Sequence, residues 1–165
     1  MGQDQVEAEF AAFVQQASPR LLRAAWFLCG EAHAAQDLVQ GALEKVLPRW
    51  RRVRDGDPLA YTRTVMLNLH RDQTREHRRE TVVADVPDPG WRDHNAQDHT
   101  YLARLLAQLP PRERQVVTLR YYVGMSEADV AAHLGISVGA VKSSASKGAA
   151  KLRAFIHRED SEHVH

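Results

Sequence analysis

The sequence predicts an all-α protein made of two small helical domains joined by a flexible linker, the second containing a helix-turn-helix. Three observations carry this. Apolar residues recur with a helical period through almost every segment outside residues 81–100. That stretch, TVVADVPDPGWRDHNAQDHT, holds two prolines and a glycine and has no period, as expected of a tether. Residues 130–153, VAAHLGISVGAVKSSASKGAAKLR, read as a helix, a tight turn at Gly135 and a second helix opening at Ser137. The expected boundaries are 1–80 for the first domain, 81–100 for an acidic linker, 101–157 for the second domain and 158–165 for a short frayed tail.

In order along the chain, Phe10, Phe13, Val14 and Ala17 form one apolar stripe, and Leu21, Leu22, Ala25, Trp26 and Cys29 form a second after a break at Ser18-Pro19. The next segment sets Leu38, Ala42 and Val46 on one side with Val39, Leu43 and Leu47 beside them, leaving Asp37, Gln40, Glu44 and Lys45 polar. Gly41 inside that helix costs on the order of 1 kcal/mol against alanine, so packing must support it. RDGDP, residues 54–58, is expected to be a loop, with Asp57 capping a new helix and Pro58 at its first position. Along that helix Tyr61, Val65 and Leu69 share one face, while Asn68, Arg71, Arg75, Arg78 and Arg79 spread over another.

After the linker, helical pattern returns from Tyr101 to Leu109. RERQVVTLRYYVG then places Val116, Val117, Leu119 and Tyr121 for burial and ends at Gly124. Ser126 is expected to cap a short helix, with Asp129 making a weak capping box. In the last helix Val141, Ala145, Gly148 and Leu152 fall within about 40° of one another and define a buried seam. Lys142, Ser143, Ser146, Lys147 and Arg153 lie opposite, where short hydroxyls and long cations can approach base edges and phosphates in a major groove.

Composition bounds the function. The chain of 165 residues is 44% hydrophobic and 26% charged, with no apolar run near the roughly 20 residues that span a bilayer. One cysteine cannot make an internal disulfide and the first residues lack a secretion signal, so the expected place is the cytoplasm. The net charge of +1 conceals a pattern, because residues 49–80 and 101–165 are net basic while 1–48 and 81–100 are net acidic. Two basic blocks around an acidic joint are the electrostatic footprint of two nucleic-acid contacts on one chain. The Arg-rich helix with Tyr61 and Asn68 suits opened DNA, where aromatics stack on bases and amides read exposed edges. Cys29 and His33 have no second ligand pair, and the nine histidines form no triad, so neither a metal nor catalysis is expected.

Together these segments resemble the extracytoplasmic-function (ECF) group of bacterial sigma factors, the compact members with only regions two and four. Within it they resemble most a small actinobacterial subgroup often labelled SigE-like. AQDLVQGALEKVLPRW is similar to region 2.1–2.2, DPLAYTRTVMLNLHRDQTREHRR to region 2.3–2.4, and LPPRERQVVTLRYYVGMSEADVAAHLGISVGAVKSSASKGAAKLR to region four. The resemblance implies a sigma factor rather than an enzyme, needing no cofactor. Such a protein binds core RNA polymerase and directs promoter-specific initiation by minus-35 recognition and minus-10 melting.

It further implies that Asp37, Gln40 and Glu44 dock on the β′ clamp helices and that region four grips the β flap. The loop at Asp55–Pro58 and the helix after it would capture a flipped base of the minus-10 element, using Tyr61 and Asn68. Lys142, Ser143, Ser146, Lys147 and Arg153 would enter the minus-35 groove. Free, such proteins are monomers, often held by an anti-sigma factor, and the linker threads the polymerase cleft. Two departures stand out. Many relatives have tryptophan where Tyr61 stands, and VKSSASKG replaces their V-K-S-R-L-x-R-A, with Ser144, Ala145, Lys147 and Gly148 for Arg, Leu, Arg and Ala. The competing reading is a stand-alone helix-turn-helix repressor or activator, which would dimerise on a palindrome.

Overall fold

The computed structural model describes residues 2–79 and 97–163, and every regular element among them is helical. In chain order these are α1 (Gln3–Cys29), α2 (Ala32–Val46), a 3-10 turn (Leu47–Arg49), α3 (Trp50–Val53), α4 (Pro58–Arg79), α5 (Gln97–Ala107), α6 (Pro111–Val117), a π-helical turn (Thr118–Val123), α7 (Glu127–Leu134) and α8 (Val138–His163). The chain divides into two compact units, Met1–Ala25 with His33–Ala84, and Trp26–Ala32 with Asp85–His165. Of the expected linker, residues 81–96 lie outside the described residues, while Gln97–Thr100 already belong to α5.

The first unit closes around Val46, Trp50 and Val53, with Val6, Phe10, Phe13, Tyr61 and Val65 packed against them. Phe10 meets the Trp50 indole edge-on, with ring centroids 5.3 Å apart, and Phe13 lies 5.0 Å from it. Ala17, Leu21, Leu38, Ala42 and Val46 are buried, as expected from the stripes of α1 and α2, and Met66 of α4 is buried with them. The expected break at Ser18-Pro19 does not occur, and α1 runs unbroken through Pro19. A proline there leaves the carbonyl of residue 15 without its helical donor. Gln15 and Pro19 are both exposed, so water can take that bond, while Ser18 Oγ donates to the Val14 carbonyl at 2.5 Å. Asp57 caps α4 as expected, its carboxylate accepting from the Ala60 amide at 3.1 Å with Pro58 first in the helix.

Leu47 departs from expectation. It is 45% exposed, not part of the apolar band, because α2 ends at Val46 and the tighter 3-10 turn rotates the next side chain outward.

In the second unit Val116, Leu119, Val130 and Val141 are completely buried where α6, α7 and α8 meet. Gly148 allows that approach, since a Cβ on it would lie 2.7 Å from Val117 Cγ2. Arg114 caps the Trp26–Ala32 segment, donating to the carbonyls of Leu28 and Cys29 at 3.3 and 3.1 Å. Tyr121, expected to be buried, is 64% exposed, whereas Thr118 is buried and donates to the Phe27 carbonyl. The physical reason is the π-turn, whose wider winding shifts the register, so that Tyr121 rotates out before the helix stops at Gly124 with φ of 89°. The tail expected to fray is helical as far as His163. A hydrogen bond between Tyr101 and the Glu159 carboxylate, which pushes the phenol above its usual range, ties α5 to this end of α8.

Candidate nucleic-acid interface

The helix-turn-helix forms as the sequence predicts. Ser126 Oγ accepts from the Asp129 amide at 3.0 Å to open α7, Gly135 turns the chain in the left-handed region at φ of 68°, and Ser137 Oγ accepts from the Ala140 amide to open α8. Val141, Ser144, Ala145 and Gly148 form the buried side of α8, with Leu152 half-buried beyond them. Lys142, Ser143, Ser146, Lys147 and Arg153 are all exposed on the same helix. Ser144, where many relatives have arginine, is only 9% exposed and so belongs to the seam rather than the open face. Lys151 is also unlike its neighbours, because its ammonium sits between both Glu113 oxygens at 3.0 and 2.9 Å.

In the first unit, Tyr61, Val65, Asn68, Leu69 and Asp72 line one wall of a groove of about 500 Å³, and Lys45, Pro48 and Arg49 line the other. That volume is in the range small-molecule-sized ligands fill. Tyr61 is half-buried, its ring packed on the Trp50 core and its hydroxyl accepting from Arg49 Nη1 at 3.2 Å. Asn68 is exposed. The groove unites Tyr61 and Asn68 but not the Asp55–Pro58 loop, which lines a separate depression against Phe13, Gln16 and Trp50 of the same unit.

The arginines of α4 differ in setting. Arg71 is half-buried with its Nε 3.6 Å from Asp72 Oδ1, and Arg75 is exposed. Arg78 and Arg79 belong to the last turn of α4, and their side chains lie outside the described residues. Lys45 and Arg49 were missed by sequence reasoning, since only the 3-10 turn folding back on α4 brings them to the groove. Cations two and three turns before an Arg-rich helix were the available signal.

On α2, Asp37, Gln40 and Glu44 are exposed along one face, with Gln40 Nε2 donating to Glu44 Oε1 at 3.4 Å and His33 4.0 Å from Asp37. Leu47, exposed in the 3-10 turn three residues after Glu44, is a second feature that sequence reasoning missed. No group of residues among those described could hold a metal ion, and none of the described helices is long and apolar enough to cross a membrane.

Two helical units, one ending in a helix-turn-helix with a cationic face and the other offering a cation-lined groove, define a DNA-binding regulator. Comparison with known proteins narrows the class. Sigma-70 region 2 matches residues 13–80 and Sigma-70 region 4 matches residues 99–152. The chain is 36% identical to an RNA polymerase sigma-E factor of Streptomyces avermitilis, over 92% of this chain and 87% of that one. Among solved structures, it is similar to CnrH in complex with the cytosolic domain of CnrY, with a TM-score of 0.52 and 26% identity over 92% of this chain and 90% of that one. It shares the fold of the Bartonella quintana sigma factor RpoE in complex with the anti-sigma factor NepR, with a TM-score of 0.52 and 23% identity over 90% of this chain and 97% of that one. The chain belongs to the sigma-70 family, in its ECF group, and directs promoter-specific transcription initiation.

Proposed function

We propose that this sigma factor divides its work among three surfaces. The row of Asp37, Gln40 and Glu44 on α2, with Leu47 of the 3-10 turn after it, docks on the β′ clamp helices of core polymerase. The groove of Tyr61 and Asn68, with Arg71, Arg75, Arg78 and Arg79 further along α4, receives the melted non-template strand of the minus-10 element. Lys142, Ser143, Ser146, Lys147 and Arg153 of α8 enter the minus-35 major groove, and the second unit meets the β flap. The observation that carries this reading is the clean partition of α8 into a buried seam and an open face of hydroxyls and cations.

That face has no Asn or Gln and only one Arg for bidentate base contacts, so it is a weak reader alone. Held with the groove on one polymerase, the two weak sites act at raised effective concentration. Flipping a base costs a few kcal/mol and a stacking contact returns about 1–3 kcal/mol, so base capture biases melting without nucleotide hydrolysis. The free protein is a monomer in the cytoplasm. CnrH was solved with the cytosolic domain of CnrY, and the RpoE of Bartonella quintana with an anti-sigma factor, and a partner of that kind fits this chain too.

The test is in vitro transcription from genomic fragments with the host's core polymerase, with and without the protein. New start sites sharing two upstream elements are expected. An active core that yields none, together with a protected palindrome on DNA alone, replaces this reading with that of a repressor or activator.

A further inference from the structure

We propose that the groove between the 3-10 turn and α4 takes one unpaired nucleotide whose base carries an exocyclic amino group, with Asp72 accepting from that amino group and Lys45 and Arg49 holding the phosphate. The inference rests on the reading of this groove as the melted-strand site.

The groove is chemically graded. Lys45 and Arg49 are exposed cations on one wall, and the Arg49 guanidinium is already oriented by the Tyr61 hydroxyl at 3.2 Å. Tyr61 and Asp72 are separated by about 16 Å of helix at the usual rise of 1.5 Å per residue, and Asn68 lies one turn short of Asp72 on the same wall. Asp72 is 63% accessible, with Arg71 Nε 3.6 Å from its Oδ1. A phosphate is repelled from an exposed carboxylate and drawn to the cations, which fixes the direction in which a nucleotide lies.

An ionised carboxylate only accepts hydrogen bonds. Adenine, cytosine and guanine each present an amino donor, whereas thymine presents carbonyls on both sides of a single ring N–H. The carboxylate therefore disfavours thymine, whose one N–H lies between two carbonyls that repel it, and Asn68, which can donate or accept, tolerates any of the other three.

The experiment uses the full chain on core polymerase and fluorescent forked DNA whose unpaired non-template strand is set at each position in turn to each of the four bases. One position is expected at which thymine binds roughly tenfold more weakly than the other bases. Asp72→Asn should bring thymine within about twofold of the other bases, because an amide can both donate and accept where the carboxylate only accepts. Lys45→Ala and Arg49→Ala should weaken all four bases alike and lower the salt slope by about 0.7 each. Asp72→Glu should keep the bias, and unchanged thermal melting of the variants separates lost recognition from lost folding. If Lys45→Ala, Arg49→Ala and Asn68→Ala leave binding unchanged, the groove does not hold the strand and the reading beneath this proposal falls. If they weaken binding but Asp72→Asn leaves the thymine penalty intact, or no thymine penalty exists, only the base-class inference is overturned.

Discussion

Lys151 donates to both carboxylate oxygens of Glu113 across the packing of α6 on α8, at 3.0 and 2.9 Å. The Glu113 side chain is 11% accessible and the Lys151 side chain 45%, so the pair is unequal. Removing the lysine strands a nearly buried carboxylate, whereas removing the glutamate leaves a cation that can turn to water. Lys151→Met should therefore destabilise the protein by about 1–3 kcal/mol and Glu113→Gln by less, read from urea unfolding. Equal losses would show that the burial asymmetry has no energetic weight.

Two glycines in helices should respond differently to alanine. At Gly41 a new Cβ would meet Leu69 Cδ1 at an ordinary 3.5 Å, so Gly41→Ala is expected to stabilise by about 0.5–1 kcal/mol through helix propensity. At Gly148 it would meet the stiff Val117 side chain at 2.7 Å, and the overpacking cost of about 1–3 kcal/mol should cancel or exceed that gain. In a Val117→Ala background, Gly148→Ala should become stabilising. Thermal melts of the four chains close this cycle.

Burial pushes the Cys29 thiol up to about 11 from 9.0, partly offset by the Arg114 guanidinium. Folding thus disfavours the thiolate. The folded and unfolded states bind the same proton below about pH 9, and stability should fall as the pH rises from there towards 11. Cys29→Ser should flatten that stretch of the profile, followed by urea midpoints. Disulfide reagents at neutral pH should label the native thiol far more slowly than the denatured one.

Asp37→Lys on α2 should weaken binding to core polymerase about tenfold through reversed charge, and Leu47→Ala in the 3-10 turn by about fivefold through a lost apolar anchor. Fluorescence anisotropy with labelled protein measures both. DNA binding by the second unit should be unaffected.

Arg75→Ala and Arg78→Ala should slow open-complex formation and lower its salt dependence by about 0.7–0.9 per lost phosphate contact. Rates of permanganate-reactive bubble formation across a salt series report this. Unchanged slopes would remove α4 beyond Asn68 from the DNA interface.

How much of this was legible beforehand depended on whether a feature was local. The seam of Val141, Ala145 and Gly148, the cap at Asp57 and the turn at Gly135 follow from periodicity and short-range chemistry, and all appear. Tyr121 was misplaced because a π-turn breaks the 3.6-residue period on which its burial was inferred. Leu47 was misplaced because α2 stops one residue earlier, and Pro19 does not break α1 because the Gln15 carbonyl it orphans can face water. Lys45 and Arg49 could not be assigned to the groove at all, since their meeting with Tyr61 and Asn68 depends on how the 3-10 turn returns the chain to α4.

The partition of α8 also bears on how such a protein diversifies. Ser143, Ser146 and Lys147 touch solvent, while Ser144 and Ala145 between them are held by the seam. On the proposed reading, exchange at the open positions alters what is read without disturbing what folds, since surface substitutions away from special features usually change stability by less than about 0.5 kcal/mol. A duplicated copy of this helix can thus drift to a new promoter one residue at a time, each intermediate still folded and still able to dock.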